Sequence, residues 1–350
     1  MQQRLEALLA EAVNEYRLPG LQAGIRFPDG RILLASAGTE DFARKGRPID
    51  NDTMFRVGSA TKMFTAALVL KLRDQGLLSL DQSIDRWFPE LPWAKSVTVR
   101  ELLEHRSGLP EALFSNFGIL LESGLNGAKV WKAQDVVDRT MKSLEVAPPG
   151  RRKFVYSNNN FVLLGLVAEK VAGKNLGQLL EREFLVPIGM KNTALLPQVG
   201  GPKAWLASGI DEYIPLGPHV IGAKTTCWDS LAYAAGGLGS TAADLLRWLD
   251  ALLDGKAISA ASLEEMRSFE DAGHNGRDEN IVGYGLGLAH YSLDGLDLEG
   301  HPGAGLGGEC YPFYETSTGI SIVICCNLSR KDNTAGKALL ARLFELARSG

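Results

Sequence analysis

Residues 55–76 read FRVGSATKMFTAALVLKLRDQG, and this stretch decides the fold. Beyond Ser59 most positions are apolar until Gly76, which is typical of a buried central helix that ends at a glycine. Ser59 and Lys62 are three residues apart, so on a helix they share one face and the lysine can reach the serine oxygen. Burial disfavours the charged ammonium and favours the neutral amine that a general base requires. The stretch therefore predicts a nucleophilic serine beside a buried lysine base.

The surroundings of Ser59 decide between this interpretation and a simpler one. An N-cap serine followed by a surface lysine would give the same spacing. Lys62, however, lies within the apolar run, and a buried lysine needs a chemical reason. We also expect Ser59 in the first turn of the helix, where free backbone N–H groups favour developing negative charge.

Composition places the chain among soluble globular proteins. Its 350 residues are 45% apolar and 22% charged, enough for one large domain or two closely packed ones. A net charge of −4 without a basic stripe argues against nucleic acid as partner. Acidic residues within positions 1–16 exclude a secretory signal, and no apolar run could span a membrane. We expect a cytoplasmic protein by default, which a leader removed earlier would change.

The cysteines and histidines show no metal-binding pattern. Cys227, Cys310, Cys325 and Cys326 have neither Cys-x-x-Cys nor zinc spacing. Cys325 and Cys326 are neighbours in an apolar strand and should point to opposite faces of it. We expect small buried thiols in a reducing compartment, with a Cys310 disulfide to one of that pair as the alternative. The histidines are scattered, so the sequence predicts no metal and no other cofactor.

Strand signals lie at the two ends of the chain. The turn at residues 28–30 should join strands at 22–27 and 31–36 into a hairpin. Further strands are predicted at residues 286–291, 296–300, 308–314 and 319–326, before a closing helix at 335–347.

The residues between these ends are mostly helical. Thr98 opens a capping box, Ser240 or Thr241 caps another helix, and a third helix spans residues 161–171. This order favours an α+β fold in which both termini build one antiparallel sheet, flanked by helices and interrupted by a mainly helical insertion.

Two more segments carry chemistry. Tyr156-Ser157-Asn158, after a turn at residues 148–150, is the chain's only Tyr-x-Asn. A loop tyrosine can relay protons, and the asparagine can orient a lysine and a substrate. The alternative is a packed tyrosine followed by helix-capping asparagines.

His301-Pro302-Gly303 stands between two predicted strands, in a glycine-rich segment whose backbone can approach a ligand closely. A strand edge there can aim a backbone N–H at a carbonyl oxygen. The alternative for His301 is a turn histidine, as we expect for the other His-x-Gly, at residues 274–276.

Ser-x-x-Lys, Tyr-x-Asn and His-x-Gly in this order resemble the motifs of the penicillin-recognising serine hydrolases. This superfamily includes class C β-lactamases, D-alanyl-D-alanine carboxypeptidases, D-aminopeptidases, D-amino-acid amidases and family VIII carboxylesterases. The phrases at residues 55–58 (FRVG), 103–110 (LEHRSGLP) and 235–241 (AGGLGST) extend the resemblance over nearly the whole chain. It implies a β-lactamase-like fold, with a sheet domain of residues 1–57 and 236–350, a mainly helical domain of residues 58–235, and the active site in the cleft between them.

The resemblance also implies roles for individual residues. Ser59 would be acylated, Lys62 would be its partner base, and Tyr156 would relay the proton to the leaving group and later activate water. Which of Lys62 and Tyr156 acts as the base stays open. Asn158 would hydrogen-bond Lys62 and the substrate.

The backbone N–H groups of Ser59 and Ala304 would form the oxyanion hole, and His301 and Gly303 would contact the substrate. A protonated His301 would help to stabilise a Tyr156 phenolate.

Two departures from the family pattern narrow the class of substrate that we expect. Pro302 stands where many relatives have a hydroxyl residue that helps to hold a substrate carboxylate. Residues 283–289 (GYGLGLA) carry no cation where carboxypeptidases of this group can place an arginine.

The resemblance therefore implies a serine hydrolase that cleaves small esters, D-amino-acid amides or short peptides. The alternatives are a D-Ala-D-Ala carboxypeptidase or β-lactamase, acyl transfer to an amine or alcohol, and a ligand-binding homologue without turnover.

Overall fold

The structure is a computed structural model that describes residues 1–41, 45–147, 153–197, 206–211, 219–222, 225–273, 278–305, 307–330 and 334–350. The turns predicted at residues 148–150 and 274–276 lie outside these ranges.

The described helices are α1 (Gln2–Glu15), α2 (Thr61–Asp74), α3 (Val99–Leu103), α4 (Phe117–Leu125), α5 (Ala133–Thr140), α6 (Asn158–Ala172), α7 (Leu176–Leu180), α8 (Val186–Ile188), α9 (Thr226–Gly236), α10 (Ala242–Leu253), α11 (Ala260–Met266) and α12 (Thr334–Arg348). Short 3₁₀ turns occupy Gly58–Ala60, Ile84–Arg86 and Ala94–Ser96, and a π-helical turn, Glu181–Leu185, joins α7 to α8.

The described strands are β1 (Gly20–Arg26), β2 (Ile32–Gly38), β3 (Phe55–Arg56), β4 (Ala194–Leu195), β5 (Gly209–Asp211), β6 (His219–Ile221), β7 (Leu238–Ser240), β8 (Glu270–Asp271), β9 (Ile281–Tyr284), β10 (Ala289–Leu293), β11 (Leu296–Gly300), β12 (Gly303–Gly305), β13 (Gly308–Glu315), β14 (Ile320–Cys326) and β15 (Leu328–Ser329).

The main sheet joins the two ends of the chain. Its strands follow the order β2-β1-β14-β13-β11-β10-β9-β8, and β12 pairs with β13 beside this path. All of these pairs are antiparallel, and β1 runs against β14 with Leu21 opposite Cys326 and Arg26 opposite Ser321. The prediction of an α+β fold with an antiparallel sheet from both termini, flanked by helices and holding a mainly helical insertion, is confirmed.

The sheet separates two apolar cores. Helices α1 and α12 cover one face, together with Cys326, whereas Cys325 belongs to the core that contains α2 and α10. The two neighbouring cysteines therefore point to opposite faces, as predicted. Cys310 and Cys325 are opposite each other in β13 and β14 with their sulfur atoms 3.5 Å apart, and both are free thiols.

The strand predicted at residues 286–291 is wrong in its first half. β10 begins only at Ala289, and β9, which was not predicted, precedes it. Between them Gly287 has φ +73°, and a Cβ there would lie 2.4 Å from the Ala66 methyl group of α2. The chain turns because it packs directly against the central helix, which is a tertiary constraint that strand periodicity does not contain.

Candidate active site

The Ser59 turn is where the central helix begins. Ser59 lies in the 3₁₀ turn Gly58–Ala60, one short turn before α2, so the expectation that it sits inside the α-helix is corrected. Gly58 has φ +50°, a conformation that suits glycine. Ser59 is half-buried, whereas Lys62 in the first turn of α2 is completely buried. The serine is thus within reach of a substrate and the lysine is shielded from water.

Oxygen atoms from three segments of the chain lie around the Lys62 amine. Its Nζ lies 3.0 Å from Ser59 Oγ, 2.8 Å from Asn158 Oδ1 and 2.7 Å from the Ala235 carbonyl oxygen. The amide and carbonyl oxygens can only accept hydrogen bonds. A neutral Lys62 can therefore donate both of its N–H groups to them and turn its lone pair toward the Ser59 hydroxyl. This geometry suits a lysine that takes the serine proton.

A kink in α9 directs the carbonyl groups of Ala234 and Ala235 toward α2. Tyr233 has φ 42° and ψ −126° inside this helix. The two carbonyls that follow it turn toward α2, where that of Ala234 accepts from Thr65 Oγ1 at 2.8 Å and that of Ala235 accepts from Lys62. Such backbone strain persists only where the surrounding structure enforces it, and it occurs preferentially at active sites.

A buried ion pair fixes α9 to the strand that precedes Ser59. The guanidinium of Arg56 in β3 binds both carboxylate oxygens of Asp229 in α9, at 2.7 and 3.0 Å. The two side chains are only 2% and 3% exposed. The bidentate geometry sets the position of the Ser59 turn relative to the helix that supplies the Ala235 carbonyl.

The Tyr156 segment meets Lys62 at the start of α6. Asn158 is the first residue of this helix, and its backbone N–H donates to the Glu111 carboxylate at 2.7 Å, which stabilises the helix N-terminus. Tyr156 is half-buried, and Lys62 Nζ lies 4.9 Å from its ring centroid. Folding thus brings Tyr156 and Asn158 to the Ser59–Lys62 pair, as the sequence predicted.

β12 borders the Ser59 turn. A Cβ on Gly58 would lie 3.0 Å from the Ala304 backbone nitrogen, so Ala304 lies beside the Ser59 turn, and its role as an oxyanion-hole donor stays a prediction. A Cβ on Gly303 would lie 1.9 Å from the Val57 carbonyl oxygen. Position 303 is therefore glycine because the strand presses against the backbone before Ser59, a reason that does not involve the substrate contact predicted for it.

His301 faces a tyrosine that the sequence did not single out. Its Nδ1 lies 2.8 Å from the Pro302 carbonyl oxygen and its Nε2 lies 3.0 Å from the Tyr284 hydroxyl. Burial raises the pKa of Tyr284 well above its usual range, and nearby Tyr156 adds to the effect, so Tyr284 keeps its proton. Because the carbonyl can only accept, Nδ1 carries the imidazole proton and Nε2 can accept from Tyr284. A neutral His301, only 1% exposed, fits this arrangement, and the protonated form considered above stays a prediction.

A cluster of rings supports Tyr156 from behind. The His105 ring lies 4.3 Å from that of Tyr156 and 5.0 Å from that of Tyr284, whose ring is 5.6 Å from that of His301. Neither His105 nor Tyr284 was predicted from the sequence as part of the site. No spacing links positions 105, 156, 284 and 301, so the sequence offered no local signal for the cluster. Within the described ranges no group of three or more His, Cys, Asp or Glu side chains could hold a metal ion.

The fold and the site together define a class of protein. A sheet built from both chain ends, with a serine and a buried lysine where the helical insertion begins, is the architecture of β-lactamase-like serine hydrolases. The Beta-lactamase family matches residues 5–345, and this chain belongs to that family. The chain is accordingly a serine hydrolase of the β-lactamase-like superfamily.

Individual relatives show how this chain is placed within the family. Penicillin-binding protein 4* of Bacillus subtilis (strain 168) is 29% identical over 234 residues, which are 62% of this chain but only about half (49%) of that protein. Esterase EstB of Burkholderia gladioli is 29% identical over 93% of this chain and 90% of its own length. Among solved structures, D-amino acid amidase from Ochrobactrum anthropi SV3, complexed with L-phenylalanine, is 27% identical and superimposes with a TM-score of 0.87 over 100% of this chain and 99% of that one.

Across the part of the chain that the structure describes, no helix is long and apolar enough to cross a membrane.

Proposed function

We propose that this chain hydrolyses small esters and D-amino-acid amides through an acyl-enzyme on Ser59, with Lys62 as the general base. The observation that carries the proposal is the set formed by the buried Lys62 amine, Ser59 Oγ at 3.0 Å from it, Asn158 Oδ1 and the Ala235 carbonyl oxygen. Ser59 is the residue of this set that a substrate can reach, because it is half-buried and Lys62 is not exposed at all.

The chemistry follows from these positions. Ser59 Oγ attacks the carbonyl carbon of the substrate while its proton passes to Lys62 Nζ. The negative oxygen that forms accepts hydrogen bonds from the backbone N–H groups of Ser59 and Ala304, each worth about 3 kcal/mol in the transition state. Tyr156 delivers a proton to the leaving amine or alcohol as its bond to the carbonyl carbon breaks, Tyr156 regains a proton from Lys62, and the carbonyl reforms as the acyl-enzyme. Water then attacks the acyl carbon while the same groups take its proton, and they return that proton to Ser59 Oγ as the acyl–oxygen bond breaks, which releases the acid and restores free Ser59.

The surroundings of His301 favour substrates without a free carboxylate. Both ring nitrogens of His301 face protein partners, and Pro302 offers neither hydroxyl nor N–H. A desolvated carboxylate needs a charged partner, which a neutral imidazole does not supply. This argues against a D-Ala-D-Ala carboxypeptidase or β-lactamase. The full-length likeness to a D-amino acid amidase and to an esterase supports neutral amides and esters instead.

A substrate panel tests the proposal. Purified protein is given p-nitrophenyl acetate, D- and L-phenylalanine amide, a D-Ala-D-Ala peptide and a chromogenic cephalosporin. We expect turnover of the ester and of the D-amide above the L-amide, with little on the two carboxylate substrates. Ser59→Ala should abolish turnover, and Ser292→Ala, a matched change at an exposed strand residue, should not alter it. Preferential cleavage of the carboxylate substrates would contradict the proposed substrate class.

Two further predictions belong to this proposal. The division into residues 1–57 with 236–350 and residues 58–235 is supported by one of the two apolar cores, whose fully buried residues all lie within 5–35 and 272–347. A reducing, cytoplasmic location is supported by the four cysteines, all of which are buried free thiols.

A further inference from the structure

His105 lies completely buried behind the loop that carries Tyr156. Its carbonyl oxygen accepts from the Val155 N–H at 2.8 Å, and its Nδ1 accepts from the Ser157 N–H at 3.2 Å. These two N–H groups belong to the residues directly before and after Tyr156. The imidazole ring also lies 4.3 Å from the tyrosine ring, tilted by 32°. His105 therefore binds the backbone on both sides of Tyr156, and its imidazole also packs against the Tyr156 ring.

A directional chain of hydrogen bonds fixes the state of this imidazole. The Leu109 N–H donates to Ser107 Oγ at 3.1 Å, so the Ser107 hydroxyl is left to donate to Asn160 Oδ1 at 2.6 Å. The Asn160 amide nitrogen then lies 2.9 Å from His105 Nδ1 and is its second donor. Because Nδ1 accepts from both Asn160 and Ser157, it carries no proton. His105 is thus a neutral imidazole with its proton on Nε2.

The backbone conformation of His105 also contributes to its contact with the Tyr156 loop. Its φ is +55°, in the left-handed region that glycine and asparagine adopt readily and that bulky residues rarely adopt. This conformation ends α3 and turns the His105 carbonyl toward Val155. A residue held in such a conformation by its surroundings is characteristic of functional sites.

We propose that His105 is a positioning residue for Tyr156, which it keeps within proton-transfer reach of Ser59 and the leaving group. The inference rests on the proposed function, since it gives His105 a role only if the Tyr156 hydroxyl takes part in the reaction. His105 touches no reacting atom; it acts through the loop at residues 155–157 and through the tyrosine ring.

The test is a double-mutant cycle on kcat with p-nitrophenyl acetate and D-phenylalanine amide. His105→Gly suits the positive φ but removes the ring and the Nδ1 acceptor, and it should lower kcat about 100-fold, as misplacement by about 1 Å does, with KM nearly unchanged. His105→Asn suits the same φ and places an amide oxygen near the Nδ1 position, so it should stay within about tenfold of the wild-type kcat. In a Tyr156→Phe background, His105→Gly should change kcat by less than about threefold, because its effect passes through the missing hydroxyl.

The outcomes separate this inference from the proposed function. The inference is overturned if His105→Gly lowers kcat by the same factor with and without the Tyr156 hydroxyl. It is also overturned if His105→Gly and His105→Asn have the same kcat, because His105 would then be a purely structural residue. A Tyr156→Phe variant with wild-type kcat would instead refute the proposed role of Tyr156, and this inference with it. Should His105→Gly not fold, ¹⁵N NMR of the wild-type protein decides, with the His105 signal assigned from its loss in His105→Asn. A proton on Nε2 supports the inference, and a proton on Nδ1 overturns it.

Discussion

The two sides of this active site are built in different ways. Ser59 and Lys62 come from one continuous segment, a tight turn and the first turn of a buried helix, in which a spacing of three residues sets both side chains. Tyr156 is supported by His105, Tyr284 and His301, all of which lie more than 50 residues from it in the chain. The Ser59–Lys62 pair is thus encoded locally, whereas the support of the tyrosine exists only after folding. Mutations should therefore act differently on the two sides.

The largest effect is expected at Lys62. Lys62→Arg keeps a long basic side chain, but an arginine stays protonated and cannot accept the serine proton. We expect kcat/KM for p-nitrophenyl acetate to fall about 10²- to 10⁴-fold, the contribution of a well-placed general base. Lys71→Arg, on the same helix but partly exposed and paired with Glu183, is the control and should keep full activity. Since arginine is larger, Lys62→Met serves as the smaller variant; substantial activity in either one would remove Lys62 as the base.

The next largest effect is expected for the ion pair between Arg56 and Asp229, which fixes the Ser59 turn to α9. Asp229→Asn leaves Arg56 as a buried charge without its partner, and we expect the free energy of unfolding to fall by about 3–5 kcal/mol. Chemical denaturation measures this, with Lys256→Gln as the control. Its ion pair with Asp254 is exposed (72% and 48%), and losing it should change stability by less than about 1 kcal/mol. Equal effects of both variants would show that the buried pair does not hold the Ser59 turn against α9.

Gly303→Ala tests the contact of β12 with the same segment. The added methyl group would lie 1.9 Å from the Val57 carbonyl oxygen, so the strand has to move away from the Ser59 turn. Displacing an oxyanion-hole donor by about 1 Å should lower kcat about 100-fold. Gly124→Ala is the matched control, because nothing lies within 4 Å of a Cβ at that position. If both variants keep the wild-type kcat, β12 does not define the oxyanion hole.

The smallest effect is expected at Glu104, the neighbour of His105, and it is a change in how the stability of the protein depends on pH. Burial raises the pKa of Glu104 from 4.5 to about 7, against the opposing charge of Arg100. The folded state therefore binds this proton more tightly than the unfolded state, and stability falls as pH rises from about 4.5 to 7. Glu104→Gln removes this dependence, so Tm should rise at pH 8 relative to wild type and stay unchanged at pH 4. A variant with the same Tm difference at both pH values would show that ionisation of Glu104 is not responsible.

The sequence predicted those features that depend on neighbouring residues. The hairpin at residues 28–30, the capping box at Thr98 and the Thr241 cap all follow from local backbone chemistry, and the structure has each of them. The Ser-x-x-Lys, Tyr-x-Asn and His-x-Gly motifs were also found because each is a short run of neighbouring residues.

What the sequence did not predict depends on packing across the fold. The turn at Gly287 exists because α2 lies against it, and the contact of Tyr284 with His301 joins the end of β9 to the segment between β11 and β12. His105 follows the end of α3, but its place behind Tyr156 results from the fold alone. A single sequence holds no spacing rule for such contacts.

The most direct test of the account is the intact mass of the protein after millisecond mixing with p-nitrophenyl acetate, for wild type and Ser59→Ala. We predict that the wild-type protein gains one acetyl group, that peptide mapping places it on Ser59, and that it decays at the rate of turnover, while Ser59→Ala gains none. An acetyl group on another residue, the same adduct on Ser59→Ala, or turnover without any adduct would contradict an acyl-enzyme on Ser59.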